Sequence, residues 1–133
     1  VAGHRLGTRQ IEEAVSAHPA VAEVALVGVH DEIKGQAVIA FAVVKDPSRL
    51  ADPETTRQLE KEVMTTVDQR LGAIGRPAKV CFVSLLPKTR SGKLLRRSIQ
   101  ALAEGRETGD LTTLDDPSAL DQIRAALAAW KRG

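Results

Sequence analysis

From residue 21 to residue 44 the chain reads VAEVALVGV, HDEIKG, QAVIAFAVV: an apolar run from Val21 to Val29, a polar link from His30 to Gly35, and a second apolar run from Gln36 to Val44. Each run is rich in Val, Ile and Ala and has the length of a strand. A turn-like stretch between two such runs predicts two neighbouring β-strands. A third run, Lys79 to Ser84, reads as a further strand.

Helical periodicity surrounds these runs. Upstream, Ile11, Ala14 and Val15 share one face of a helix expected from Arg9 to about His18, capped by Thr8, favoured by Glu12 and Glu13 in its first turn and stopped by Pro19. After Asp46-Pro47, Leu59, Val63, Val67 and Leu71 recur at helical spacing until Gly72 and Gly75-Arg76-Pro77. Leu94, Leu95, Ser98, Ile99 and Leu102 predict a third helix ending at Gly105, with Arg96 and Arg97 on its flank or in solvent. Pro117 starts a last, loosely packed helix carrying Leu120, Ile123, Leu127 and Trp130 on one face. The sum is an α+β fold: a small mixed β-sheet of at least three strands with helices packed against it.

A chain of 133 residues can bury a core without disulfides or metal. With 43% hydrophobic and 27% charged residues it has the balance of a globular domain rather than a disordered tail. No apolar run reaches the ~20 residues of a membrane span, so no membrane partner is expected. Cys81 is the single cysteine, which fits a reducing, cytoplasmic setting. His4, His18 and His30 are scattered, with no paired carboxylate at metal-ligand spacing, so no metal site is expected. A net charge of +2 is too small to imply a polyanion partner. The basic residues between Lys88 and Arg97 leave open a rival reading, a basic nucleic-acid-binding module. It is disfavoured by an aromatic content of 2%, by Glu54, Glu60, Glu62 and Asp68, and by the lack of a recognition-helix pattern.

The segment richest in chemistry is Pro87-Lys88-Thr89-Arg90-Ser91-Gly92-Lys93. It is not a Walker phosphate loop, because Pro87 stands where that motif needs its first glycine. It resembles the signature loop of the AMP-forming acyl-CoA synthetases, in the adenylate-forming superfamily with firefly luciferase and nonribosomal peptide adenylation domains. Gly3-His4-Arg5-Leu6-Gly7-Thr8, Ile11-Glu12 and Gly35-Gln36 extend the likeness at the spacing of acetate- and propionate-type enzymes. Gly109-Asp110-Leu111-Thr112-Thr113-Leu114, followed by Asp116-Pro117, resembles the tail of the short-chain branch, and Gly75-Arg76-Pro77-Ala78 and Gly105-Arg106 pull toward propionate-type ligases.

That resemblance implies residues 1–105 as a mobile C-terminal lid and 106–133 as an extension with a final helix. A large N-terminal domain outside this chain would be its partner. It also implies a two-step reaction: a short-chain carboxylate, propionate or acetate, attacks ATP to give acyl-AMP and pyrophosphate, and coenzyme A then displaces AMP. ATP and magnesium would sit mainly on the missing domain. The lid would turn between two orientations, presenting Lys93 for adenylation and the Gly3 loop for thioester formation.

By the same likeness Lys93 is the catalytic residue, supported in its loop by Gly92, which would let the backbone approach closely, and by Arg90. Gly3 would line the tunnel for the coenzyme A thiol, and Arg5 would contact nucleotide phosphate. Arg70 and Arg76 would lie toward the coenzyme A nucleotide, although the acetate-type position there appears as Asp68. Lysine chemistry suits the first step, because negative charge gathers on phosphoryl oxygens as two anions meet. The alternative for Lys93 alone is a solvated charge at the start of a helix, a poor place for a structural lysine given the dipole. Acylation of Lys93 would remove its charge, so a lysine acyltransferase and a deacylase are expected partners.

Overall fold

Ile39 and Phe41 alternate with Ala40 and Ala42, so the large pair falls on one face of the sheet and the small pair on the other. The computed structural model describes residues 8–31, 35–72, 77–105 and 115–132. Strand β1 (Val21–Asp31) pairs antiparallel with β2 (Gly35–Val44), and β2 pairs parallel with β3 (Lys79–Val83), giving the order β1-β2-β3. The sheet is therefore small and mixed, as the sequence suggested. Large residues face small ones in register: Phe41 lies opposite Ala25 and Leu26 opposite Ala40. Phe41, Ala25 and Ala40 are fully buried.

Both faces of the sheet are covered. On one, helices α1 (Thr8–Ser16) and α2 (Pro53–Leu71) bury Ile11, Val15, Leu59, Val63 and Val67 against Val21, Leu26, Ala40 and Val80. On the other, α3 (Arg96–Glu104) and α4 (Ser118–Arg132) bury Ile99, Ala103, Ile123 and Leu127 against Val27, Ile39, Phe41 and Val83. The last helix is not loosely attached: Ile123 is fully buried, and the Gln122 side chain binds both the Ser84 backbone N–H and the Ser84 hydroxyl. The Trp130 side chain lies outside the described residues. Asp52 caps α2 ahead of Pro53, and Gly105 ends α3 in the left-handed region at φ 74°.

A bulge at the start of β1 breaks its alternation, because Val21 opposes Val44 while Glu23 opposes the adjacent Val43. Val21 thus joins the α1/α2 core with Val24 and Leu26, while Glu23 turns to the α3/α4 face. The free edge of β1 is closed by side chains. The Leu26 N–H donates to Glu12, and Gln100 of α3 both accepts from the Gly28 N–H and donates to the Gly28 carbonyl. These side chains occupy the edge at Leu26 and Gly28, where another strand would otherwise pair.

Candidate functional site

The segment Pro87 to Lys93 folds as a short hairpin between β3 and α3. Lys88 bridges to Leu94, and Leu86 and Leu94 seat the arms on the α3/α4 core. The turn closes with the Gly92 N–H donating to the Thr89 carbonyl at 2.8 Å and the Thr89 N–H donating to the Lys93 carbonyl at 2.9 Å. Gly92 follows that turn at φ 92°, a conformation that side-chain-bearing residues rarely adopt. A Cβ there would meet nothing within 4 Å, so the turn, and not a close approach within this chain, demands the glycine. The Thr89 hydroxyl takes the Lys93 N–H at 3.0 Å and lies 2.9 Å from the Ser91 hydroxyl. At the base the Leu95 N–H donates to the Pro87 carbonyl at 2.9 Å.

Lys93 differs from its expected setting in one respect. Helix α3 begins at Arg96 with Leu95 as its cap, so Lys93 sits on the returning arm of the hairpin and not in the first turn of a helix. The helix dipole therefore does not bear on it directly, and Lys93 incurs no such electrostatic cost. Leu94 and Leu95 likewise belong to the hairpin and the cap. What remains is exposure: Arg90, Lys93 and Arg97 are exposed and form no ion pair among the described residues.

The other two cations of the segment are tied down. The Lys88 ammonium pairs with Glu23, the residue that the β1 bulge turns toward it. Arg96, expected on the flank of α3, holds Glu12 of α1 with both terminal nitrogens, Nη2 donating to Oε1 at 2.7 Å and Nη1 donating to Oε2. Glu12 Oε2 also accepts the Leu26 N–H at 3.0 Å. Glu12 is buried and lies outside the first turn of α1, so it serves this junction and not the helix dipole. Its hydrogen bond raises the pKa of the Arg96 guanidinium above the ordinary value.

Sequence reasoning missed this role of Glu12, although a signal was present. Ile11, Glu12, Ala14 and Val15 are all buried on α1, and a carboxylate in an apolar face requires a donor partner. His18, which has no carboxylate at metal-ligand spacing in the sequence, finds one across the fold: its Nε2 lies 2.9 Å from Glu62 Oε1, while Nδ1 accepts the Ala20 N–H at 3.0 Å.

Of the remaining candidates, Arg70 is exposed in the last turn of α2, on the sheet face opposite the hairpin, so the structure does not bring it to Lys93. Gly3, Arg5 and Arg76 lie outside the described residues. Burial pushes the Cys81 thiol up to about 11, only partly opposed by nearby Lys79, which makes it a poor nucleophile. Among the described residues no cluster of three His, Cys, Asp or Glu could hold a metal ion, and no helix is long and apolar enough to cross a membrane.

A model of the AMP-binding enzyme C-terminal domain matches residues 10–93, from α1 through the hairpin to Lys93, which is more than half of the chain. The chain belongs to that family. Propionate-CoA ligase from Escherichia coli (strain K12) is 61% identical over 127 residues, which are 96% of this chain and 20% of that protein. Acetyl-coenzyme A synthetase from Pyrobaculum arsenaticum is 48% identical over 131 residues, covering 98% of this chain and 19% of that one. This AMP-binding C-terminal domain thus spans about a fifth of the length of the curated relatives it matches. Among solved structures, an acyl-CoA synthetase from Brucella canis matches with a TM-score of 0.58 and 39% identity over 70% of this chain and 16% of that one. The anthranilate CoA ligase AuaEII in complex with anthranoyl-AMP matches at 0.63 and 29% identity over 78% of this chain and 19% of that one. Both agree with the fold, an α+β domain of the adenylate-forming enzymes.

Proposed function

We propose that this domain is the mobile lid, residues 1–105, and its extension, 106–133, of an AMP-forming ligase that converts propionate or acetate to its coenzyme A thioester in the cytoplasm. The observation that carries the reading is the contrast within one hairpin of this family's domain: Lys88 is bound to Glu23, whereas Lys93 is exposed and unpaired among the described residues. A compact ammonium on a flexible stem, presented by a closed turn, can enter a cleft on a partner domain and leave it again.

In the first half-reaction a carboxylate oxygen forms a bond to the α-phosphorus of ATP, and the bond to pyrophosphate breaks. Lys93 donates to the oxygens that gain charge as two anions meet. In the second, the coenzyme A sulfur bonds to the acyl carbon and AMP leaves with the electron pair. That step would use the opposite face of the lid, with Gly3 lining the thiol's tunnel, while Arg70 or Arg76 would approach the coenzyme A nucleotide; Arg5 would contact nucleotide phosphate. Exposed Arg90 adds positive potential beside Lys93, and Gly92 sets the turn. Magnesium would enter with ATP and be held by the N-terminal domain of the same enzyme.

The test is Lys93→Ala in the full-length ligase. Adenylation should fall by at least roughly 10²- to 10³-fold, about 3 to 4 kcal/mol of barrier, as for loss of a single oxyanion donor elsewhere. Thioester formation from supplied acyl-adenylate should persist. An equal fall in both half-reactions would remove the assignment.

An exposed lysine on which one half-reaction depends is also a point of control. Acylation of its amine by a lysine acyltransferase would cancel the charge and leave the fold intact, and a deacylase would restore it. Mass spectrometry of the protein isolated from cells should find the acyl mark on Lys93.

A further inference from the structure

The feature that this mechanism leaves unused is the charged junction at the edge of β1. Arg96 is the first residue of α3, a helix whose cap residue Leu95 makes no side-chain capping bond. The start of α3 is held instead by the two-pronged contact of Arg96 with Glu12. The planar fork of a guanidinium fixes direction as well as distance. Glu12 is fixed in turn by α1 and by the Leu26 N–H of β1, so its carboxylate joins three elements. From Arg96 the chain runs back through Leu95, whose N–H closes the base of the hairpin on Pro87, to Lys93.

We propose that Glu12 and Arg96 are positioning residues for Lys93: their ion pair fixes the root of the hairpin to α1 and β1, so that the ammonium meets the reacting phosphate from a rigid base. The inference rests on the adenylation role of Lys93. The pair Lys88–Glu23 stakes the outgoing arm of the same hairpin with side chains 31% and 40% exposed, whereas Arg96 is 54% exposed and the Glu12 carboxylate only 11%. An ion pair in water contributes little, whereas breaking a buried one leaves a charge without compensation. The buried member is the Glu12 carboxylate, and losing Arg96 would leave it with the Leu26 N–H as its remaining partner among these contacts, which makes this contact the governing one.

The experiment uses the full-length ligase that carries this chain. Parent, Glu12→Gln, Arg96→Gln, Arg96→Lys and Lys93→Ala are compared in single-turnover adenylation, in thioester formation from supplied acyl-adenylate, and in thermal melting. Arg96→Gln and Glu12→Gln should lower the maximal adenylation rate by about 10- to 100-fold, the scale of an ångström-sized misplacement. The KM for ATP and the thioester step should be unchanged. Arg96→Lys keeps the charge but loses the fork, so its rate should fall between those of the parent and Arg96→Gln.

A purely structural role would lower both half-reactions together, and that result overturns the proposal. So does normal adenylation in folded Arg96→Gln. If Glu12→Gln or Arg96→Gln does not fold, Arg96→Lys decides alone, and its unfolding, or its normal adenylation, also overturns the proposal. Slow Lys93→Ala beside fast Arg96 variants defeats the positioning role only. Normal Lys93→Ala defeats the function assigned to Lys93 and the positioning role with it.

Discussion

Two lysines of one hairpin end in opposite circumstances, and backbone geometry separates them. Lys88 lies on the outgoing arm, where the bulge at the start of β1 has turned Glu23 to meet it. Lys93 lies beyond the turn closed by Gly92, with its backbone held by Thr89 and its side chain exposed. The one cysteine shows the reverse pattern, a reactive residue type made inert by its surroundings. Burial favours the neutral thiol, so Cys81 stays protonated in the native state up to about 11 against an ordinary 9.0. Two outcomes follow. Iodoacetamide at pH 8 should label the native chain far more slowly than the urea-unfolded chain. Native stability should also fall as pH rises from about 9 toward 11, because only the unfolded thiol ionises in that window. Cys81→Ala should flatten that fall, and equal labelling of native and unfolded protein would contradict the account.

Each helix carries an apolar stripe and one or two polar side chains that tie it to a distant element. On α2 the ties are Glu60, which accepts the Val80 N–H of β3 at 3.0 Å, and Glu62, which meets the His18 ring at 2.9 Å and the Arg49 guanidinium at 3.5 Å. The hydrogen bond from His18, aided by Arg49, holds the Glu62 carboxyl below its ordinary pKa of 4.5. Because the folded pKa is depressed, this contribution is present above pH 4.5 and is lost as pH falls through the lower folded value. Urea unfolding of Glu62→Gln and parent should therefore differ at neutral pH and converge in acid. Asp46 and Asp116, lowered by Ser48 and Ser118, act in the same direction in both proteins, so the difference isolates Glu62. A constant difference from neutral pH to pH 3 would exclude the linkage. The apolar stripes and strands were legible in the sequence because periodicity is local: Leu59, Val63 and Val67 announce their face within one helix. The ties were not, since Glu12 and Arg96 stand 84 residues apart and His18 and Glu62 stand 44 apart. Their partnership exists only once the sheet has formed. The returning arm of the hairpin is hidden for a related reason: Leu94 has the spacing of α3 yet bridges to Lys88.

At the scale of the molecule, β1, β2 and β3 form one sheet between two helical layers, and each layer has its own core. Residues 10–93, which match the family model, supply α1, α2, the sheet and the hairpin, but neither helix of the second layer. That layer completes itself late in the chain, where α4 places Ile123 and Leu127 against Ile99, Phe41 and Val83. Ending the chain at Gly105 would uncover this face beneath the hairpin, and exposed apolar surface of that kind weakens both solubility and cooperativity. The shortened chain should bind a hydrophobic dye and lose its sharp thermal transition. A milder lesion, Ile123→Ala in the whole chain, should cost about 2 to 5 kcal/mol in urea unfolding, the range for emptying a fully buried aliphatic position. If the chain cut after Gly105 instead melts as sharply and as high as the whole, residues 106–133 are an appendage. The division at 105 would then be a true domain edge, and α3 would cover its face of the sheet without α4. If the cut chain fails as expected, the domain that carries Lys93 includes residues 106–133, because the core under the hairpin is not closed until α4 is in place.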